Sequence, residues 1–453
     1  MSSPYTRVCS GLLFPLHERL KGHDSVARRQ ALERSQWLQP DALRALQVDK
    51  LRAFLVNAGT QVPYYGRMFR ERGFAPETLR SVSDLGALPL LDKATIRAHA
   101  DAMKARGHGP LTRYNTGGSS GQPLVFYIGK ARKSHDVAAK WRATRWWGVD
   151  IGDVEAVIWG SPIEHGAQDL LKLVRDRAFR STLLPAFEMS EQRLDEFVGW
   201  IRRHRPRMLF GYPSALSHIA RHAKARGIAL NNLGIRVAFV TSERLYDEQR
   251  EAIQGTFGCP VANGYGARDA GFIAHECPKG GIHISSEDIV VETVDAQGQQ
   301  VAAGQAGEIV VTHLATGDFP FIRYRTGDVG VLDDTPCTCG RGLPLLKELQ
   351  GRSTDFVVAA NGTVMHGLAL IYVLRDLPAI QAFKVTQHSL QRTQVQLVAE
   401  PHFRPDALDG IRAAFRARLG EDVQVDIDLV GDIAPEASGK YRYIVSHVVA
   451  NGT

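Results

Sequence analysis

The sequence predicts an α/β fold: a large, multi-subdomain N-terminal domain with mostly parallel sheets and a β-rich subdomain, plus a small α+β domain at the C-terminus. Three observations lead there. Through the middle of the chain, strand-like apolar runs alternate with helix-like stretches, the pattern of parallel βαβ units. From about residue 282 the helices drop out and short alternating strands take over. After Gly351 a compact mix of strands and one helix follows, so the predicted domains are 1–351 and 352–453, with the linker at 351–354. A length of 453 residues fits this division, because single cores stop growing well below that size.

Taken in order, Leu43, Leu46, Leu51, Phe54 and Leu55 recur at helical spacing and predict a helix over 41–58, punctuated by Pro40 and Pro63. Segment 85–99 reads as a loop and then a helix capped near Asp92. A Gly-rich stretch at 115–123 precedes the apolar run Leu124–Ile128 and a long amphipathic helix over 131–147. Strands are predicted at Ala156–Trp159, Met208–Gly211, Val237–Val240 and Pro260–Asn263, with helices at 191–204, 214–226 and 245–257. The β-rich part contributes Ile289–Val294, Gly307–His313 and Gly330–Leu332. The tail offers strands at 355–359, 381–387, 394–399 and 423–430, and a helix at 405–419.

Composition narrows the function classes. Apolar residues make up 44% and charged residues 23%, which excludes a disordered or low-complexity chain. The 55 basic and 48 acidic residues leave a net charge of +7 with only short basic clusters. A nucleic-acid binder concentrates such charge on one element, so an anionic small substrate such as a nucleotide explains the surplus better. Five cysteines, an odd number, argue against a disulfide framework and for a reducing, cytoplasmic setting. No apolar run approaches the ~20 residues that span a bilayer.

Five segments carry chemistry. Thr116-Gly117-Gly118-Ser119-Ser120-Gly121 combines hydroxyls with glycines that let backbone N–H groups approach a phosphate, without the Gly-Lys-Ser/Thr end of a Walker A loop. Asn263-Gly264-Tyr265-Gly266-Ala267-Arg268-Asp269 follows a predicted strand. There Tyr265 offers a flat face for a purine and Asp269 an oxygen for Mg²⁺. In Arg323-Tyr324-Arg325-Thr326-Gly327-Asp328, the carboxylate can accept both hydroxyls of a ribose; an ordinary turn is the bland alternative. Gly351-Arg352-Ser353-Thr354-Asp355 stands at the linker, and Ser438-Gly439-Lys440-Tyr441-Arg442 near the C-terminus.

In this order and spacing the five segments resemble the acyl-adenylate-forming ligase superfamily, and most of all its phenylacetate–CoA ligase and CapK-like branch. Val62-Pro63-Tyr64-Tyr65, Leu88-Pro89-Leu90-Leu91 and Phe210-Gly211-Tyr212-Pro213-Ser214 add to the likeness, which spans roughly residues 50–445. The resemblance implies ATP-dependent activation of a carboxylic acid as an acyl-adenylate, then transfer to CoA. The alternative is transfer to an amine, a hydroxyl or a carrier-protein thiol. It implies that Thr116–Gly121 hold phosphates, that Ser242 and Glu243 lie at the adenine turn, and that Gly264, Tyr265 and Gly266 frame adenine. Asp269 stands where relatives carry a Mg²⁺-binding glutamate, Asp328 binds ribose, and Arg352 reaches ribose or phosphate. Lys440 matches the lysine that bridges carboxylate and α-phosphate, which requires the tail to act as a mobile lid turning about a hinge near Thr354. Trp159, Gly160, Tyr212 and Ala270 are candidates for the acyl pocket, suited to an aryl or arylalkyl acid, and a homodimer is expected.

Cys277, His283, Cys337 and Cys339 form a Cys₃His set suited to a structural, tetrahedral Zn²⁺, with His275 the competing imidazole. Part of that reading rests on the same resemblance, since some relatives in the branch carry a metal-binding segment here.

Overall fold

The computed structural model describes residues 3–115, 124–159, 170–186, 188–295, 297–350, 356–375, 377, 379–433 and 444–448. The chain forms two compact units: Met1–Tyr114, Leu124–Asp153 and Ala262–Gly351 make one, and Asn115–Pro123, Val154–Val261 and Arg352–Thr453 the other. The mixed α/β architecture expected from the alternating pattern is present in both.

The first unit begins with helices. Pro40–Gln61 and Pro63–Glu71 each open on a proline, which has no N–H to leave unpaired at a helix start. Asp92 caps the helix Lys93–His99, its side chain accepting the Thr95 N–H at 2.7 Å. The helix Lys130–Trp146 matches the long helix expected over 131–147. The strands then pair in the order Ile289–Val294, Ala306–His313, Tyr324–Asp333, Leu345–Gln350, Ile282–Ile284, Gly271–Glu276 and Val261–Ala267. All these pairings are antiparallel, and they make the β-rich part expected from the short alternating runs. Leu51, Leu55, Tyr65, Leu124, Phe126, Ile273, Ile309 and Phe321 form the core that joins helices to sheet. Burying each such side chain stabilises the unit by roughly 1.5–3 kcal/mol.

Two motifs sit differently from expectation. The strand predicted to end at Asn263 continues to Ala267, so Gly264, Tyr265 and Gly266 lie within it and only Arg268–Ala270 form the turn. The continuation follows from pairing: Gly264 faces His275 and Tyr265 faces Ala274 on the next strand, which a local pattern rich in glycine does not reveal. Likewise Tyr324–Asp333 is one long strand where only Gly330–Leu332 was predicted.

The second unit holds a parallel sheet in the order Ser181–Pro185, Glu155–Trp159, Met208–Gly211, Val237–Thr241. The helices Glu191–His204, Pro213–Ala225 and Asp247–Phe257 alternate with these strands, and Leu194, Phe197, Leu216, Ile253 and Phe257 share a core with Ile158, Leu209 and Val240. The tail carries a four-stranded sheet ordered Gln424–Leu429, Arg392–Ala399, Ile380–Ser389, Ile444–Ser446, with its own core of Phe383, Val395, Leu397 and Phe415. A small hairpin, Phe356–Val358 with Val364–His366, pairs through Val364 and Met365 with Met189 and Glu188.

Candidate active site and thiol cluster

In the first unit, two carboxylates predicted from separate motifs are each held by a tyrosine. Thr326, Gly327 and Asp328 stand opposite Ile309 alone, because the pairing jumps from Val310–Arg325 to Glu308–Val329. Gly327 takes φ +76° in this bulge, a conformation side chains resist. Thr326 Oγ1 donates to the Ile309 carbonyl at 2.8 Å and accepts the Asp328 N–H at 3.1 Å, which anchors the bulge. Asp328 then accepts the Tyr265 hydroxyl at 3.0 Å. Burial and the Asp328 charge hold the Tyr265 phenol well above its ordinary range, so it stays a donor.

Tyr265 is 7% exposed and packs in the unit's core, so the residue expected to stack on adenine presents little open face here. Asp269, on the turn after that strand, accepts the Tyr324 hydroxyl at 2.6 Å and the Ala270 N–H at 3.1 Å. The next residue, Ala270, is fully buried in the core.

In the second unit, predicted residues gather along one edge. Trp159, Tyr212 and Ser242 stand at the C-terminal ends of three adjacent parallel strands, the edge where α/β sheets bind ligands. Trp159 stacks on Tyr212 with ring centroids 4.4 Å apart. Gly211 between them has no room for a side chain, since an added Cβ would lie 2.2 Å from the Ile158 carbonyl. Ser242 adopts φ +74°, a strained conformation for a non-glycine that costs on the order of 1 kcal/mol and clusters at binding loops. Glu243 accepts a hydrogen bond from Ser214 Oγ at the start of the helix Pro213–Ala225.

Cys277, His283, Cys337 and Cys339 come together in the first unit, their donor atoms all within 4.8 Å of one another. Cys277 Sγ and Cys337 Sγ are 3.7 Å apart, and Cys339 Sγ lies 3.2 Å from His283 Nε2. Tetrahedral zinc with Zn–S bonds near 2.3 Å sets sulfurs about 3.8 Å apart, so the donor set fits that ion. His283 Nδ1 lies 3.2 Å from the Leu343 carbonyl, which assigns the proton there and leaves a lone pair on Nε2. Burial, with Arg341 and Arg142 adding, lowers His283 to about 4 and keeps it neutral. Burial pushes the Cys277 thiol up to about 12. For Cys339 burial acts upward too, but hydrogen bonds from Arg341, Cys337 and Cys277 outweigh it and hold the thiol below its ordinary value. His275, the competing imidazole, faces His283 across the strand pair but does not share the cluster.

A second buried group, His135, Asp136 and His313, also lies within 4.8 Å. Asp136 is already occupied by Arg132, whose Nε is 3.0 Å from both its oxygens. That guanidinium, beside the imidazoles, works against a further cation.

Thr116–Gly121, Gly160, Arg352, Thr354 and Lys440 lie outside the described residues.

Residues 177–316 match the family model described as AMP-binding enzyme, and residues 357–447 that of the CapK C-terminal domain. These matches support the resemblance to the acyl-adenylate-forming ligases of the phenylacetate–CoA ligase and CapK-like branch. It is 22% identical to protein CapK of Staphylococcus aureus over 85% of each chain. It is 26% identical to the phenylacetate-coenzyme A ligase of Thermus thermophilus over 81% of this chain and 84% of that one. A crystal structure of 2-hydroxyisobutyryl-CoA ligase in complex with 2-HIB-AMP and CoA superposes with a TM-score of 0.63 at 19% identity, covering 92% of both chains, which establishes the adenylate-forming fold.

Sequence reasoning named no role for Tyr324, although it quoted the residue within its motif. It also passed over Arg132; its only local signal was the i,i+4 spacing to Asp136 on a predicted helix.

Proposed function

We propose that the protein activates a small, aryl or arylalkyl carboxylic acid with ATP and passes the acyl group to CoA. The family supports the coarse activity: the enzyme is an AMP-forming acid–thiol ligase. The observation that carries the finer reading is the pairing of Asp328 with Tyr265 and of Asp269 with Tyr324, which assembles two nucleotide motifs of distant sequence in one unit.

In this reading Asp328 accepts the ribose hydroxyls. Asp269 supplies one hard oxygen, as Mg²⁺ sites do that bind mainly through phosphates and water. When bound, that ion would neutralise charge building on the phosphates. Thr116, Ser119 and Ser120 hold the leaving pyrophosphate, and Ser242 and Glu243 border the adenine. The substrate carboxylate oxygen attacks the α-phosphorus and pyrophosphate departs, with Lys440 stabilising both anions. The CoA sulfur, having lost its proton, then attacks the acyl carbon and AMP leaves. Trp159 and Tyr212 would wall the acyl group at the parallel-sheet edge, and Gly160 keeps its expected role toward that group; the Trp159–Tyr212 stack and the naming of several relatives as phenylacetate ligases support an aromatic substrate.

The domains remain those proposed from sequence: an adenylation domain over 1–351 and a lid over 352–453. The lid can swing only if the backbone pairing of Val364 and Met365 with Met189 and Glu188 parts. Zn²⁺ bound by Cys277, His283, Cys337 and Cys339 would be structural, since four protein donors leave no open position. Among the described residues no helix is long and apolar enough to cross a membrane. The cysteine count supports a cytoplasmic setting, and a homodimer is the proposed assembly.

The likeness to CapK keeps a second acceptor in play, an amine, hydroxyl or carrier thiol. Pyrophosphate release, screened over aryl and alkyl acids with and without CoA, tests both. Acid-dependent release with an acyl-CoA product is expected. Release without thioester formation would favour the other acceptor, and no release with any acid would overturn the reading.

A further inference from the structure

The buried Arg132 makes contacts that the roles assigned so far do not use. It is 2% exposed on the helix Lys130–Trp146, which follows the Val125–Ile128 strand after Gly129 alone. Its Nε donates to both oxygens of Asp136, one helical turn on, at 3.0 Å each. The rest of the fork points elsewhere: Nη1 donates to the Asp269 carbonyl at 3.2 Å and Nη2 to the Arg268 carbonyl at 3.3 Å. These hydrogen bonds thus go either to its own lock or to the backbone of the turn carrying Asp269. The chain runs close against the guanidinium there, since a Cβ added at Gly271 would lie 3.0 Å from Arg132 Nη2.

We propose that Arg132, locked by Asp136, is a positioning residue that sets Asp269 for a metal–nucleotide ligand. The proposal rests on the role given to Asp269 above. Tyr324 fixes the carboxylate end of Asp269 and Arg132 fixes its backbone, so the oxygen has little freedom. Only a planar guanidinium reaches a carboxylate and two carbonyls at once; a lysine ammonium in its place keeps the charge and loses the fork. Arg142 on the same helix is the natural control. It is equally buried, but it bonds Glu287, Ser285 and the Leu32 carbonyl, away from the turn.

The experiment is calorimetric titration of Mn²⁺ with ATP into the whole protein, repeated with ATP in EDTA, on wild type, Arg132→Lys, Asp136→Asn and Arg142→Lys, with melting temperatures for each. Supporting groups of this kind change metal affinity by about tenfold or more. Arg132→Lys and Asp136→Asn should therefore weaken Mn²⁺–ATP binding roughly tenfold and leave metal-free ATP within about twofold. Arg142→Lys should lower the melting temperature without that selective loss. Unchanged Mn²⁺–ATP affinity in Arg132→Lys, or the same selective loss in Arg142→Lys, overturns the proposal; if Arg132→Lys fails to fold, Asp136→Asn decides. Wild type that binds no Mn²⁺–ATP also overturns it. Wild type that binds Mn²⁺–ATP but exchanges pyrophosphate with no acid defeats the assigned reaction, while the binding data still judge Arg132.

Discussion

The thiol–imidazole cluster and the carboxylate region belong to the same antiparallel sheet, yet they are built on opposite plans. Cys277, His283, Cys337 and Cys339 converge until their donors lie within 4.8 Å, a closed set that needs only an ion. Asp269 and Asp328 are instead each held by a tyrosine hydroxyl, Tyr324 and Tyr265 respectively. The first arrangement supplies all the ligands a structural metal wants. In the proposed reading the second supplies oxygens for ribose and cation, and Lys440 acts with them. Closure marks structure, and incompleteness marks catalysis.

The widest test of that contrast is Lys440→Ala. If the carboxylate region is incomplete without the tail, adenylation measured by pyrophosphate exchange should fall about 10²–10³-fold. Thioester formation from a supplied acyl-adenylate should survive; equal loss of both steps would break the contrast. Next comes the closed cluster. Chelation or Cys277→Ser should remove about one equivalent of zinc by mass spectrometry and lower the melting temperature by roughly 10 °C. ATP binding measured calorimetrically at about 20 °C should hold within about twofold, as expected of a purely structural site. Metal-linked loss of ATP binding would merge the two regions into one.

A third test uses acid. Burial, with nearby histidine and arginine charges, lowers His218 to about 4, and burial with Arg142 and His135 lowers His275 to about 3. The unfolded chain takes up these protons near pH 6.5, whereas the folded protein refuses them until about 4 and about 3. Their contribution is therefore fully present above about 6.5 and is lost as pH falls toward those folded values, by up to ~1.4 kcal/mol per pH unit per histidine. Denaturant midpoints between pH 7 and 4, compared with His218→Gln, measure the share of the second unit; a flat profile would contradict it. The smallest effect is Tyr265→Phe. Losing one hydroxyl to Asp328 should cost about 1 kcal/mol and raise the KM for ATP several-fold with kcat nearly constant. A kcat collapse would instead place Tyr265 in the chemistry.

Much of this was legible in the sequence for local reasons. The Trp159 and Tyr212 strands announced themselves by apolar runs between helices, Asp92 capped the helix it was expected to cap, and the Cys₃His set showed in residue type and spacing. The strand through Tyr265 ran past its predicted end, because glycines weaken a strand pattern and only the partner strand at Ala274 restores it. The bulge that aims Asp328 was equally hidden, since a Gly-Asp pair reads as an ordinary turn until the Ile309 strand is placed beside it.

Residue identity alone set the chemical vocabulary: hydroxyls and glycines for phosphate, carboxylates for ribose and cation, three thiols with an imidazole for zinc. Spacing along the chain set the helices and the order of the motifs. Tertiary pairing decided which tyrosine holds which carboxylate, that His283 rather than His275 faces the thiols, and that Arg132 grips the turn at Asp269. These are contacts between residues far apart in sequence, and strand register and burial fix them, neither of which is a local property.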